Sequence, residues 1–279
     1  MICFMFLGQP LTANPLMPED PVFAAVADLT RRRTGLELAT LARPDNSYSD
    51  QVALQIYGCA ISLYQNRIHR NSGLKPGMIA EHSMGVYAAL AAAGALSEGD
   101  ALELTMLIGT AVGQLQPTTA YAFGCITGLT APPLLAIAEN NGVFLANRNT
   151  SRHFLLAGSR HGIEAALAEA LTAGAFTVSH FPSDAPLHTP LIEPLRSRLT
   201  EIVGNYRYRE PGIPVMEHLS QDFLAAADIP AFLVDELCQP VNWEATFLAL
   251  RANGIRVFTE VGHGDSLKKY NRWINTEHN

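Results

Sequence analysis

The chain reads as an α/β fold with a largely parallel sheet and a small inserted domain. Three observations predict this. Apolar runs of strand length alternate with helical patterns along most of the 279 residues. One such run, Met78-Ile79-Ala80, passes through Glu81-His82-Ser83-Met84-Gly85 into an Ala-rich helical stretch, the form of a sharp strand–turn–helix elbow. From about Tyr121 to Phe181 the order becomes strand, helix, strand, strand, helix, strand, which is the ferredoxin-like arrangement. The expected boundaries are 1–119 with 187–279 for the main domain and 120–186 for the insert.

The elements follow in order. Ile2 to Leu7 is an apolar first strand, too short to cross a bilayer and without the basic start of a signal peptide. Gln51 to Arg70 is a long helix with Leu54, Cys59, Ile61 and Leu63 at helical spacing. Met78 to Ala80 is the strand before the elbow, and Met84 to Ala93 is the elbow helix, ended near Gly94. Ser97 is placed to cap the next helix, with Asp100 three residues on. In the insert, strands are expected at Ala122 to Gly128, Val143 to Ala146, Phe154 to Ala157 and Phe176 to Phe181. Its helices are expected at Pro133 to Asn140 and Ile163 to Ala173. Helices and short strands return afterwards, including Val257 to Val261.

Composition narrows the function classes. Apolar residues make up 48% and charged residues 16%, ordinary for a globular enzyme. The net charge of -7 argues against a general nucleic-acid binder or a membrane-surface protein. Cys3, Cys59, Cys125 and Cys238 form no C-x-x-C pair, which fits buried thiols in a reducing compartment. With no secretion signal, the expected location is cytoplasmic. The nine histidines show no paired ligand spacing, so no metal site is expected.

The elbow points to covalent serine chemistry at Ser83. A serine hydroxyl is a weak nucleophile until a base lies within hydrogen-bond reach. His82 adjoins Ser83, but neighbours on a tight turn point apart, so a core or supporting role suits it better. His69, His161 and His278 sit in polar stretches. His188 lies in Pro186-Leu187-His188-Thr189-Pro190, where two prolines restrict the backbone, and it is a candidate base that spacing alone does not single out. An oxyanion formed at Ser83 needs N–H donors, each worth about 3 kcal/mol. Met84, the residue after the serine, supplies one. Gly8 permits close approach of the first strand's end, which makes the Gln9 N–H the candidate for the second; a plain strand-to-loop turn is the alternative.

These motifs resemble the malonyl-CoA:acyl carrier protein transacylases over nearly the whole chain. The family's G-H-S-L-G-E-Y-A-A-L is similar to Glu81-His82-Ser83-Met84-Gly85-Val86-Tyr87-Ala88-Ala89-Leu90, and its F-P-G-Q-G-S-Q to Phe6-Leu7-Gly8-Gln9-Pro10-Leu11. Its N-x-N-S-P-x-Q-x-V-I-A-G is matched by the stretch from Asn147 and Asn149 to Gly158, and its P-x-H-x-x-L-M-x-P by Pro186 to Pro194. N-P-V-x-W and E-V-G-P-G are matched by Gln239-Pro240-Val241-Asn242-Trp243 and Glu260-Val261-Gly262-His263-Gly264. The resemblance implies an α/β-hydrolase-like domain with a ferredoxin-like insert. It implies Ser83 as nucleophile, His188 as base, Gln9 and Met84 as oxyanion donors, and the backbone carbonyl of Glu236 as the group that orients the histidine. It also implies Gly8, Asn147 and Asn149 at the substrate site, a coenzyme A thioester as donor and the phosphopantetheine thiol of an acyl carrier protein as acceptor. No cofactor is held permanently, and a monomer is expected.

The pattern also departs from that family. The malonyl-selecting arginine of its L-x-R-G is Ile108 in Leu104-Thr105-Met106-Leu107-Ile108-Gly109, and no lysine or arginine occurs between Lys75 and Arg148. Glu81 replaces the first motif glycine, Val86 the glutamate, and Pro10 a glycine beside Gln9. A carboxylate at Glu81 facing the pocket would repel a substrate carboxylate. Arg148 is an alternative cation from the insert, although a surface arginine is the plainer reading. The expected function is transfer of malonyl or, given Ile108, an uncharged short acyl group from coenzyme A to an acyl carrier protein. An acyl hydrolase acting on carrier-protein thioesters and a non-catalytic carrier-protein-binding homologue are the alternatives. Arg31-Arg32-Arg33 and Lys268-Lys269-Arg272 are candidate docking charges, each also readable as a solvated face.

Overall fold

Two sheets organise the chain. The computed structural model describes residues 1–10, 18–115 and 120–278; Leu11 of the opening motif lies outside them. The first sheet is all-parallel in the order β7-β2-β1-β9, from β1 (Ile2–Phe6), β2 (Met78–Glu81), β7 (Val215–Met216) and β9 (Val257–Val261). Side chains alternate across a strand. Phe4 and Phe6 therefore pack with α1 (Pro21–Thr34), α2 (Asp50–Asn71) and α4 (Glu98–Val112), while Cys3, Met5 and Leu7 face Trp243 and Phe247 of α9 (Trp243–Ala252) and Leu267 of α10 (Ser266–Glu277). Cover on both faces explains why β1 reads as an unbroken apolar run. Each such side chain contributes about 1.5–3 kcal/mol on burial.

The turn after β2 feeds α3 (Gly85–Ala92). A Cβ at Gly85 would sit 2.5 Å from the Phe6 carbonyl oxygen, so only glycine lets this helix start against the end of β1. At the far edge, Glu260 of β9 accepts from the N–H groups of Leu267 (2.8 Å) and Lys268 (3.3 Å), anchoring the N-terminus of α10 to the sheet.

The second sheet is built on β3 (Tyr121–Thr127), β4 (Phe144–Thr150), β5 (His153–Ser159) and β6 (Thr177–Ser183), antiparallel in the order β6-β3-β5-β4. With α5 (Ala131–Asn140) and α6 (Arg160–Thr172) this is the ferredoxin-like arrangement. Its core holds Ile126, Leu134, Phe154, Leu156 and Ile163. A fifth strand, β8 (Val241–Asn242), pairs in parallel with β4 through Asn147 and Arg148. It comes from the far side of the chain and ties the two sheets together. The sequence pattern gave no hint of it, because two residues carry no periodicity.

Helix α1 was also unforeseen, although its start is marked: Asp20 Oδ1 accepts from the N–H groups of Val22 and Phe23, with Pro21 at the first position. Ser97 caps α4 as expected, its hydroxyl accepting from the Asp100 N–H at 3.0 Å. The basic run in α1 is spent internally. Arg31 and Arg32 pair with Asp28, and Arg33 with Asp100 and Glu103. Among the described residues no helix is long and apolar enough to cross a membrane.

Candidate active site

Ser83 sits between the end of β2 and the start of α3 with φ of 56°, left-handed backbone that non-glycine residues adopt at a cost of about 1–3 kcal/mol. The strain lifts the hydroxyl clear of the sheet at the N-terminus of α3, where the helix dipole favours negative charge. His188 also has positive φ, 62°. Thr189 supports that turn, its hydroxyl donating to the Pro186 carbonyl at 2.6 Å and accepting from the Leu191 N–H at 3.3 Å.

The two residues meet at 2.6 Å, Ser83 Oγ to His188 Nε2. Both N–H groups of the histidine then go to one helix end. The ring Nδ1–H donates to the Glu236 carbonyl at 2.7 Å, and the backbone N–H donates to the Leu237 carbonyl at 2.8 Å. Those carbonyls belong to the last turn of α8 (Ile229–Cys238), where helix acceptors lack internal partners. The tautomer is thereby set with Nε2 bare toward the serine, and the negative end of the dipole faces the imidazolium that would form. Burial first, then the neighbouring His218 and His82, pushes His188 down to about 3, so at neutral pH the ring is uncharged and able to accept a proton.

The first-strand loop runs over the elbow. Gly8 lies against His82 and Ser83, where an added Cβ would be 3.1 Å from the His82 ring and carbonyl. The Gln9 side chain is fixed between two glutamines one turn apart on α2: its Nε2 donates to Gln51 Oε1 at 2.7 Å, and Gln55 Nε2 donates to its Oε1 at 3.0 Å. Pro10 packs over Gly58 of the same helix. Gln51 and Gln55 were not singled out by sequence, although their i, i+4 spacing on one face was the available signal. Gly109 makes the ladder possible, since a Cβ there would be 2.4 Å from Gln55 Oε1.

Two cavities open on Ser83. One of about 700 Å³ lies between the elbow and the face of the second sheet, lined by Phe123, Leu155, Phe181 and Asn147, with Lys269 and Trp273 also on its wall. The other, about 20 Å³, continues past Ser83 between Gln55, Ile108, Val112, Leu187 and Glu236. Ile108 is buried there, and the wall has a carboxyl group, Glu236, and no cation.

The remaining expected residues separate. Asn147 reaches the large cavity. Asn149 does so too, but its amide is already bonded to His82 Nε2 at 2.9 Å and His153 Nδ1 at 3.1 Å, so it braces the elbow against the second sheet. Glu81 lines neither cavity. It is fully buried at the end of β2, where its carboxyl is bonded to His218. The expected repulsion of a substrate carboxylate by Glu81 is therefore corrected. Arg148 pairs with Glu244 at 2.8 Å and lies outside both cavities, so it supplies no pocket cation. His188, His218 and Glu236 gather closely enough to suggest a metal, but both His188 ring nitrogens are engaged by Ser83 and the Glu236 carbonyl.

An elbow serine bonded to a buried neutral histidine, on a parallel sheet with a ferredoxin-like insert, defines an acyltransferase of the α/β class. The chain belongs to the acyl transferase domain family, whose model matches residues 13–268. It is 32% identical over 217 residues to the malonyl CoA-acyl carrier protein transacylase of Bacillus subtilis, covering 74% of this chain and 68% of that protein. It is 29% identical over 214 residues to the enzyme of that name from Escherichia coli, covering 75% and 69%. The solved malonyl CoA-acyl carrier protein transacylase from Coxiella burnetii superposes with a TM-score of 0.89 at 26% identity, over 99% of this chain and 91% of that one. The protein is thus an enzyme of the acyl carrier protein S-malonyltransferase type.

Proposed function

We propose that the enzyme carries an acyl group from coenzyme A to the phosphopantetheine thiol of an acyl carrier protein through an ester on Ser83, and that the acyl group is short and uncharged. The 2.6 Å contact between Ser83 and His188 carries the covalent part of this reading. His188 takes the serine proton as Oγ attacks the thioester carbonyl. The developing oxyanion is received by the N–H groups of Met84 and Gln9, neither of which donates to a described residue. His188 then returns the proton to the coenzyme A thiolate. The carrier-protein thiol repeats the sequence in reverse.

The size and chemistry of the small cavity carry the substrate part. A space of about 20 Å³ takes little more than one water-sized group. A malonyl carboxylate placed there would meet Ile108 and Glu236 with no guanidinium to pair with. The large apolar cavity suits the pantetheine arm. We take residues 120–186 as the domain that closes over this arm and 1–119 with 187–279 as the catalytic domain.

Intact-mass analysis after mixing with acetyl-CoA or malonyl-CoA tests both parts. The expected result is an acetyl adduct on Ser83 that is absent in Ser83→Ala and forms faster than a malonyl adduct. Faster malonyl loading would overturn the substrate assignment. Adduct decay in water, with and without carrier-protein thiol, separates transfer from hydrolysis: transfer requires decay to depend on the thiol.

A further inference from the structure

Four buried ionisable side chains lie together behind Ser83. His188, Glu236, His218 and Glu81 are 3%, 1%, 0% and 0% exposed. Glu81 Oε1 accepts from both the backbone N–H of His218 at 3.1 Å and its ring Nδ1–H at 2.7 Å. That fixes the ring proton of His218 on Nδ1 and leaves Nε2 bare. Nε2 has no hydrogen-bond partner, and neither has Oε2 of Glu236. The same Oε2 lies 3.5 Å from Nδ1 of His188, and one ligand atom each from His188, His218 and Glu236 falls within 4.8 Å of the others.

Glu81 Oε2 and the Tyr87 hydroxyl are likewise buried without partners, and polar atoms left so are costly unless they complement one another. A proton on the Glu236 carboxyl makes its Oε2 and His218 Nε2 complementary, because a carboxylic acid donates and a bare imidazole nitrogen accepts, across this separation through one bridging water. Burial pushes both carboxyls upward, Glu81 also through Glu217 and Glu236 also through Glu81; Glu81 Oε1 accepts two N–H bonds and so keeps the charge, while Glu236 Oε2 has no donor and takes the proton. The groups facing His188 from each packed element are His82 at the elbow, His218 just beyond β7 and Glu236 of α8, with Glu81 of β2 behind them on His218. Burial pushes His218 down to about 4, opposed by Glu217, so its ring is neutral at rest, and Tyr87 of α3 stands beside Glu236.

We propose that Glu236 and His218 share one proton and act as positioning residues for His188, with Glu81 as the counter-charge. The proposal rests on the reading of Ser83 and His188 as nucleophile and base. At rest the proton is on Glu236. When Ser83 gives its proton to His188 Nε2, the Glu236 O–H bond breaks and an N–H bond forms at Nε2 of His218. The net charge of the cluster plus reacting serine is unchanged. The imidazolium of His188 then faces a new carboxylate at Nδ1, and the imidazolium of His218 faces Glu81. Charge thus appears beside the base only while it is needed, and the resting cavity stays uncharged around an uncharged acyl group. The glutamate at position 81, where the transacylase motif carries glycine, has its place in this scheme as the far end of the relay.

The test is imidazole ¹⁵N NMR on the full chain, at rest and after phosphonylation of Ser83 by an organophosphorus fluoride. The expected result is His218 as the Nδ1–H tautomer at rest and doubly protonated in the adduct. Glu236→Gln and His218→Leu should each lower kcat/KM about tenfold with KM nearly unchanged. In their adducts the His188 imidazolium should titrate about one unit lower than in the wild type. The double variant should be no worse than either single one, and Glu236→Asp should recover part of the loss. An Nε2–H tautomer of His218 at rest, or a neutral His218 in the adduct, overturns the relay; both are read on wild type and do not depend on the variants folding. No adduct on Ser83 would instead sink the reading of the dyad itself.

Discussion

Ser83 Oγ and His188 Nε2 stand 2.6 Å apart, and each residue holds a left-handed backbone, with φ of 56° and 62°. Strain at both partners of one hydrogen bond is kept only where the surroundings over-determine it. Here the proposed nucleophile is clamped at a helix N-terminus and the proposed base at a helix C-terminus. His188→Gln should therefore lower the rate of Ser83 acylation about 10²–10⁴-fold with little change in the melting curve, measured by stopped-flow or quenched intact mass. A variant acylated at the wild-type rate would place the base elsewhere.

The acid limb of the rate profile should lie far below an ordinary histidine's. His188 is held down to about 3 by burial. A base works only when unprotonated, so a lowered value extends activity to lower pH, and activity fades as pH falls through that value. The expected kcat/KM is flat from about pH 5 to 8. An acid limb near 6.5, measured in buffers where the fold is intact by circular dichroism, would show a solvated ring.

Replacing Ile108 by arginine should raise malonyl loading relative to acetyl by roughly one to two decades, the worth of one charge-assisted pair. The cavity is small, so overpacking should also cost about 1–3 kcal/mol, seen in urea unfolding. Ile108→Ala works the other way, admitting bulkier uncharged acyl groups in a competition of acyl-CoAs. An unchanged malonyl-to-acetyl ratio in the arginine variant would mean that the acyl group does not enter beside Ile108.

The glutamine ladder makes a separable prediction. Gly109→Ala drives a methyl into Gln55, and Gln55→Ala removes that side chain; both free Gln9 Oε1 and leave Gln9 held by Gln51 alone. Each should lower kcat about tenfold with KM nearly unchanged, because a displaced N–H donor is felt mainly in the transition state. A rise in KM alone would make the ladder a binding feature.

Cys125 is the one cysteine among the four on the wall of the large cavity, while Cys3, Cys59 and Cys238 are buried. A maleimide should label Cys125 first, and desulfo-coenzyme A, which has no thiol to consume the reagent, should slow the labelling. Labelling unaffected by desulfo-coenzyme A would place the pantetheine arm outside this cavity. Burial pushes the thiol upward, so labelling should quicken as pH rises.

Much of this protein was legible in the chain itself. The apolar run of β1 and the Glu81-His82-Ser83-Met84-Gly85 turn determined a parallel sheet with a serine at its elbow, because strand period and turn chemistry are local. The ferredoxin-like order of the insert was readable for the same reason, as was the cap at Ser97. Ile108 stood out against the family motif without any coordinates. Only the tertiary structure decided the rest. It turned Glu81 away from the pocket and onto His218, committed Asn149 to His82, paired Arg148 with Glu244 and added β8 to the second sheet. It also put the Glu236 carboxyl beside the base, 48 residues from His188 in sequence. Those outcomes depend on which buried polar groups find each other across long chain separations. No local pattern encodes that, because the cost of leaving a buried charge or donor unpaired is settled only when the packed core chooses its neighbours.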